Sequence, residues 1–264
     1  MKTCCYIERF TTHDALTAEP KTLVPDPTLR RRMSRTVRMG VLTALECLQG
    51  ASVDAIVTAT GFGCLADSEK FLRNLLDQNE ELLTPTPFIQ STFNTIGAQI
   101  ALLCGCRGCN TTFAHRGHSF ESALLEASML LSEGSARRIL VGAADERTPS
   151  QHRIMERMGL WRGCEDGEGA AFMLLSGVPS SDSQACITDV DFPEEALDEQ
   201  QIAARYDADR VVFASRMLVG CYPTVSAYAL VHGIEALGDS VRRVAVYNRY
   251  LDNKPSVIVV SACR

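Results

Sequence analysis

Eleven cysteines and five histidines carry most of the capacity for chemistry in this chain. Cys104, Cys106 and Cys109 are followed by His115 and His118, and thiolates and imidazoles at short spacing suit tetrahedral zinc. The paired Cys-x-x-Cys knuckles of zinc sites are missing, so ordinary helix-end and strand thiols are the simpler reading and no metal is expected. Cys221 is a candidate nucleophile, since a thiol beside a base becomes reactive as its pKa falls. The histidine near it in sequence is His232, eleven residues on, and a packed thiol is the plainer reading. Between a strand-like run at 110–114 and a helical run at 118–131 lies a sharp turn, and a sharp strand-to-helix turn is a place suited to presenting a nucleophile. Gly117 stands there and has no side chain to offer.

The charged residues divide in the same way. Arg30, Arg31, Arg32, Arg35 and Arg38 form a local basic cluster that suits an acidic partner surface, although a solvated or interface-facing helix side is the more ordinary use. Glu121 and Glu126 read as solvent-facing or capping residues of the helix after Gly117, and Glu168, in the acidic turn Glu165-Asp166-Gly167-Glu168, reads as structural.

These groups need a scaffold, and 264 residues with 46% hydrophobic side chains suffice for one large globular domain or two fused halves. A net charge of −6 argues against nucleic acid or an anionic membrane as main partner. The odd cysteine count and the lack of an apolar signal segment after Met1 argue for reduced thiols and a cytoplasmic location. In chain order, the pattern predicts a strand at 4–7, a polar loop to 27, a helix over 28–48, a buried strand at 54–59 and a helix over 67–78. Two prolines in 84–94 predict an extended loop. A helix at 96–103, a strand at 110–114, the helix at 118–131 and a strand at 138–141 follow. No clear pattern spans 147–168. Strands at 169–175, 185–192 and 211–213, a polar helix or linker at 193–207, a helix over 225–237 and a closing hairpin with strands at 244–247 and 257–260 complete the chain. This alternation predicts an α/β architecture with both sheet faces covered.

Several stretches are more specific than their periodicity. Arg31-Arg32-Met33-Ser34-Arg35, the turn Thr60-Gly61-Phe62-Gly63 and the run from Leu83-Thr84-Pro85 to Thr92-Phe93-Asn94 resemble the N-terminal half of β-ketoacyl-acyl-carrier-protein synthases. In that family a nucleophilic cysteine opens a helix that a glycine ends seventeen positions on, before a strand and a small-residue pair. Gly134, the strand through Val141 and Gly142-Ala143 fit this frame and put Gly117 at the cysteine position. Asp166-Gly167-Glu168-Gly169-Ala170 resembles the family's Gly-Glu-Gly-Ala turn, 220–237 its second-histidine segment and 248–263 its closing hairpin. The resemblance implies a thiolase-like, layered αβαβα fold built from two similar halves, approximately 1–175 and 176–264, with a shortened cap region.

The departures shape the expected function. Condensation in this family needs a cysteine thiolate, two histidines and backbone donors for the oxyanion. Here the frame places Gly117 at the cysteine, Cys221 on or near the second histidine and Asn248 at the start of the hairpin. No His-Gly-Thr-Gly-Thr stretch exists, and Arg249-Tyr250-Leu251-Asp252-Asn253 replaces a glycine-rich turn. The chain therefore resembles a chain-length-factor type subunit, and 111–121 resembles the short subunits of aryl-polyene pathways. The resemblance implies a partner, an active β-ketoacyl synthase, with an acyl carrier protein docking at Arg31, Arg32 and Arg35. It places Phe88, Phe93, Asn110, Phe113, His115 and Arg116 at the tunnel or interface, and it calls for no cofactor. Two other classes stay open: an active acyltransferase or hydrolase working through Cys221 or another thiol, and a homodimeric acyl-chain-binding protein.

Overall fold

The structure is a computed structural model that describes residues 5–161, 163–252 and 254–263. Cys4 of the predicted first strand and Asn253 of the predicted last turn lie outside the described residues. The chain runs β1 (Cys5–Thr12), α1 (Pro20–Leu23), α2 (Pro27–Arg32), α3 (Arg35–Leu48), β2 (Ala55–Ala59), α4 (Leu65–Asp77), α5 (Pro85–Ser91), α6 (Thr95–Cys104) and β3 (Cys109–Phe113). It continues with α7 (Ser119–Ser132), β4 (Arg138–Asp145), α8 (Pro149–Arg157), β5 (Gly169–Ser176), β6 (Ala185–Asp191), α9 (Glu199–Tyr206), β7 (Arg210–Phe213), α10 (Val225–Glu235), β8 (Arg243–Asn248) and β9 (Ser256–Ala262).

The strands form a nine-stranded sheet in the order β3-β2-β4-β5-β1-β6-β9-β8-β7. β2 is parallel to β3 and β4, and β7 is parallel to β8, while the other neighbours are antiparallel. At the centre β1 pairs with β6, and both carry a register shift, between Ile7 and Arg9 and between Ile187 and Asp189. Such bulges bend a sheet. The bend lets one apolar cluster include α7 (Phe120, Leu124), α10 (Leu230, Ile234) and strands from both wings (Val57, Val141, Val244, Val260). On the outer face of the first wing, Val37, Val41 and Leu48 of α3 and Ile100 of α6 bury against Ile56, Leu140 and Phe172. On the outer face of the second, Ile202 and Tyr206 of α9 cover Ala245, Tyr247, Val257 and Val259. The result is the αβαβα layering expected. The period of two shows along β8: Val244 and Val246 face the central helices, while Ala245 and Tyr247 face α9.

The short helix α1 lies within the stretch expected as a loop to 27, and three further elements differ from expectation for local reasons. The predicted helix over 28–48 breaks into α2 and α3, because Met33 is extended (φ −70°, ψ 128°) and buried. The stretch expected as an extended loop at 84–94 contains α5, whose first residue is Pro85. A missing N–H costs nothing in a first turn, where that group has no intrahelical partner. In the patternless region lies α8, begun by Pro149 after Thr148, whose hydroxyl accepts from the Gln151 amide at 3.2 Å. Among the described residues, no helix is long and apolar enough to cross a membrane.

Candidate functional site

The turn that carries Gly117 follows the edge strand β3 and enters the central helix α7. Arg116 adopts a left-handed conformation (φ 53°), which redirects the chain between strand and helix. Ser119 fixes the turn from both sides: its hydroxyl accepts from the His115 amide (2.8 Å) and donates to the Arg116 carbonyl (2.7 Å). Gly117 itself is buried. Its carbonyl accepts from the Asn248 side-chain amide at 2.8 Å, so two of the expected site residues are in direct contact. The same Asn248 nitrogen donates to Glu121 Oε1 (3.1 Å), and Ser256 donates to that oxygen too (2.8 Å).

Glu121 corrects an expectation. Read as a solvent or capping residue, it is fully buried, and burial pushes its carboxyl upward against the donors Ser256 and Asn248. The signal was present, since Leu124 and Ser128, three and seven positions on, are also buried.

His115 and Arg116 are both exposed. The His115 ring lies edge-on to Phe113 (5.7 Å between centroids) and its Nδ1 meets the Ser122 hydroxyl at 3.1 Å. His118 donates from Nε2 to the Lys254 carbonyl at 2.6 Å and packs edge-on to Phe192. Of the cysteines weighed as zinc ligands, Cys104 bonds the Ala101 carbonyl and Cys109 faces Thr111. Among the described residues, no three His, Cys, Asp or Glu side chains come together to hold a metal.

Beneath the turn is a buried carboxylate that sequence reasoning missed. Asp145, at the end of β4, accepts from the Thr60 hydroxyl (2.7 Å), the Gly61 amide (2.8 Å), the Phe62 amide (3.4 Å) and both the amide and hydroxyl of Thr224 (3.2 and 2.8 Å). Burial pushes its carboxyl up, while these donors favour the charged form. Asp145 thereby joins the turn after β2 to the entry of α10. Gly61 shows how close the approach is, because a Cβ there would lie 2.1 Å from Pro223 Cβ and 3.6 Å from Arg116 Cα.

The next residue, Glu146, has a side chain 1% exposed; it accepts from the Ala66 amide at the start of α4 (2.9 Å) and lies 3.9 Å from Arg35. Burial raises its pKa from 4.5 to about 7, with Asp67 and Glu168 adding repulsion. The folded pKa exceeds the unfolded one, so the folded state binds the proton more tightly. Stability therefore falls as pH rises from the unfolded to the folded pKa, by about 3 kcal/mol at most from this group. Glu146→Gln is expected to flatten the difference in urea midpoint between about pH 5 and about pH 8. Equal differences in variant and parent would assign the proton elsewhere.

Cys221 makes none of the hydrogen bonds that hold Gly117. It is 5% exposed and bonds the Ser215 carbonyl (3.7 Å), and its backbone forms a parallel bridge with Asp166. Burial pushes its pKa up to about 12, and the carboxylate of Asp166 acts in the same direction. His232 instead faces Glu235 at 3.9 Å on the exposed side of α10. A His152–Asp166 pair (2.9 Å), with the His152 ring stacked on Trp161, lies near and was not anticipated.

The remaining expected residues occupy the surface. Phe88 is 54% exposed and packs on Phe71 (5.3 Å), while Phe93, 51% exposed, lies over Gly63. Leu72, Leu76, Leu82 and Ile89 add exposed apolar area on α4, α5 and the segment between them. β3 pairs with β2 on one side and forms the sheet edge on the other. From β3, Asn110 donates to the Gly97 carbonyl of α6 (3.0 Å). Arg31 and Arg32 are exposed at the end of α2, whereas both guanidinium nitrogens of Arg35 bind the Glu168 carboxylate.

The fold has solved counterparts. The ishigamide ketosynthase/chain length factor aligns at TM-score 0.77 with 16% identity, covering 98% of this chain and 99% of that one. A ketosynthase in complex with its chain length factor from Xenorhabdus doucetiae aligns at TM-score 0.64 with 17% identity, covering 98% and 100%. A type II polyketide ketosynthase solved with its acyl-carrier protein and bound to the hexaketide aligns at TM-score 0.77 with 12% identity, covering 99% and 100%. No sequence among curated proteins matches the chain significantly. Residues 11–197, well over half of the chain, match the N-terminal domain of β-ketoacyl synthases, and on that match the chain belongs to the β-ketoacyl synthase family.

Proposed function

We propose that this chain is a non-catalytic, chain-length-factor-like partner of an active β-ketoacyl-acyl-carrier-protein synthase in cytoplasmic fatty-acid or polyketide assembly, of the aryl-polyene kind. The observation that carries the reading is Gly117: the residue at the entry of α7 has no side chain to acylate, and its carbonyl is bonded by Asn248. Cys221 and Asn248 are then the degenerate remains of a catalytic set. The similarity of the fold to proteins solved as ketosynthase and chain-length-factor complexes supports the reading, as do the exposed apolar α4–α5 surface and the edge strand β3. We read the chain as a single domain whose halves, 1–175 and 176–264, meet between β5 and β6.

Native mass spectrometry on the tagged chain from its own cells tests the pairing. A one-to-one complex with a larger, synthase-sized protein is expected, and a homodimer without that partner would sink the proposal. In the complex, Phe88, Phe93 and Phe113 border the partner's acyl tunnel. Replacing them by alanine is expected to lengthen the product, and an unchanged product distribution would remove them from the tunnel. Carrier docking rests on Arg31 and Arg32, since Arg35 is engaged by Glu168. Binding of the carrier should weaken with salt.

The reading that competes is an acyltransferase acting through Cys221. A buried thiol beside a carboxylate is disfavoured as a thiolate, which is the nucleophilic form. Covalent acylation of Cys221 by an acyl thioester would revive it, and noncovalent lipid in a lone homodimer would favour an acyl-chain binder.

A further inference from the structure

Cys164 and Cys221 come together through backbone rather than through sequence proximity. The Cys221 amide donates to the Glu165 carbonyl at 2.7 Å, and the Gly167 amide returns a bond to the Cys221 carbonyl at 3.0 Å. Between these bonds Asp166 and Cys221 form a parallel bridge. The two backbones are pressed together, since a Cβ on Gly220 would meet Gly167 Cα at 2.8 Å. Cys164, two residues before Asp166, is thereby brought near Cys221, close enough for its thiol to add to the upward push on the Cys221 pKa.

The two sulfurs are unequal in access and freedom. Cys221 is buried and held in the bridge, whereas Cys164 is half-buried in a bend. Gly163 precedes it with φ 95°, a conformation that leaves the backbone free to adjust. Cys164 also forms part of the wall of an open cleft of about 500 Å³, with Trp161, Ser215, Arg216 and Leu218. Glu165 and Arg216 both line the cleft, so it presents charges of both signs beside the thiol. A solvent-reached thiol in front of a resolving thiol is the arrangement in which oxidation proceeds to a disulfide instead of stopping at an adduct.

We propose that Cys164 and Cys221 are a redox-sensitive thiol pair that closes to an intramolecular disulfide on contact with a low-molecular-weight disulfide such as oxidised glutathione. The Cys164 thiolate attacks one sulfur of the reagent, forming a mixed disulfide and releasing one thiolate. Cys221 sulfur then attacks the Cys164 sulfur, the second reagent thiolate leaves, and the Cys221 proton passes to it. Two protein thiols and one reagent disulfide become one protein disulfide and two reagent thiols. Closing the bond requires the sulfurs to approach to about 2.05 Å, and the bend at Cys164 supplies the movement. The second step is slow near neutrality because burial and Asp166 keep Cys221 protonated. Oxidation would pin the 164–168 turn, which carries the Glu168 that binds Arg35, to the entry of α10. This inference is independent of whether the chain pairs with a synthase.

The test is intact-mass and peptide mapping of the full chain after exposure to oxidised glutathione over a range of pH. The parent protein is expected to lose the mass of two hydrogens and to yield a peptide cross-linked between Cys164 and Cys221, faster at higher pH. Cys221→Ser is expected to keep a glutathione adduct on Cys164, and Cys164→Ser to leave Cys221 unmodified. A lasting adduct on Cys164 in the parent, or two unreacted thiols, overturns the proposal. That parent result decides the matter even where a serine variant folds poorly.

Discussion

Replacing Asp145 by alanine is expected to abolish soluble folding or to lower stability by roughly 5 kcal/mol, because it strands buried donors at the junction of three segments. The Gly61, Phe62 and Thr224 amides and the Thr60 and Thr224 hydroxyls all point at this one carboxylate. Each unsatisfied buried donor costs about 1–3 kcal/mol. Water has little room to replace the carboxylate, given how closely Gly61 approaches Pro223. Asp145→Asn is the sharper test because it preserves shape. Its amide keeps one acceptor oxygen but turns an NH₂ group toward either the Gly61 or the Thr224 side, placing donor against donor. A loss of about 3–5 kcal/mol in urea unfolding is expected for it. A loss below about 1 kcal/mol would mean that the junction is held by packing and that the carboxylate is incidental.

Ile89→Glu should separate the chain from the synthase partner proposed above without harming the chain itself. Ile89 is 59% exposed on α5, so a glutamate there stays in water in the isolated protein, and a stability change within about 0.5 kcal/mol is expected. If α5 is covered in the complex, the same glutamate must lose its hydration without a compensating cation. The expected consequence is a roughly 100-fold weaker complex, or about 2.7 kcal/mol. Leu218→Glu is the matched control, fully exposed and outside α4 and α5, and it should leave binding unchanged. Equal binding by both variants would take α5 out of the interface and with it the tunnel role of Phe88.

What could be read in the sequence follows how local each signal is. β2, β4 and β5 are short apolar runs buried on both faces, which only a covered sheet accommodates, and their apolar character survives without any knowledge of neighbours. The Gly117 turn was legible because a strand, a turn and a helix follow each other directly. α5 was not, because proline at a first helical turn and proline in a loop look alike until the following residues are seen to be helical. Glu121 was misread because its charge outweighed its position on the buried face. Asp145 and the Cys164–Cys221 proximity were beyond sequence reasoning for a simpler reason: their partners are tens of residues away, and nothing in the intervening composition says which turns will meet.

The two edges of the sheet are of different kinds. β3 is bordered by helices with exposed apolar side chains, whereas β7 has four residues, begins at the exposed Arg210 and has α9 packed beside it. After β7 the chain makes a 3-10 turn at Ala214–Arg216 and enters α10 with no further strand, whereas three helices and β3 intervene between β2 and α7. A sheet inviting at both ends could add copies without limit and grow into a fibre. If a strand joins β3, the β7 edge, begun by a charged residue and flanked by α9, offers no equivalent partner, and association through strands would stop after a single joining. On the pairing proposed above, the short edge would act as a terminator and favour pairs over filaments when the chain is made in excess of that partner.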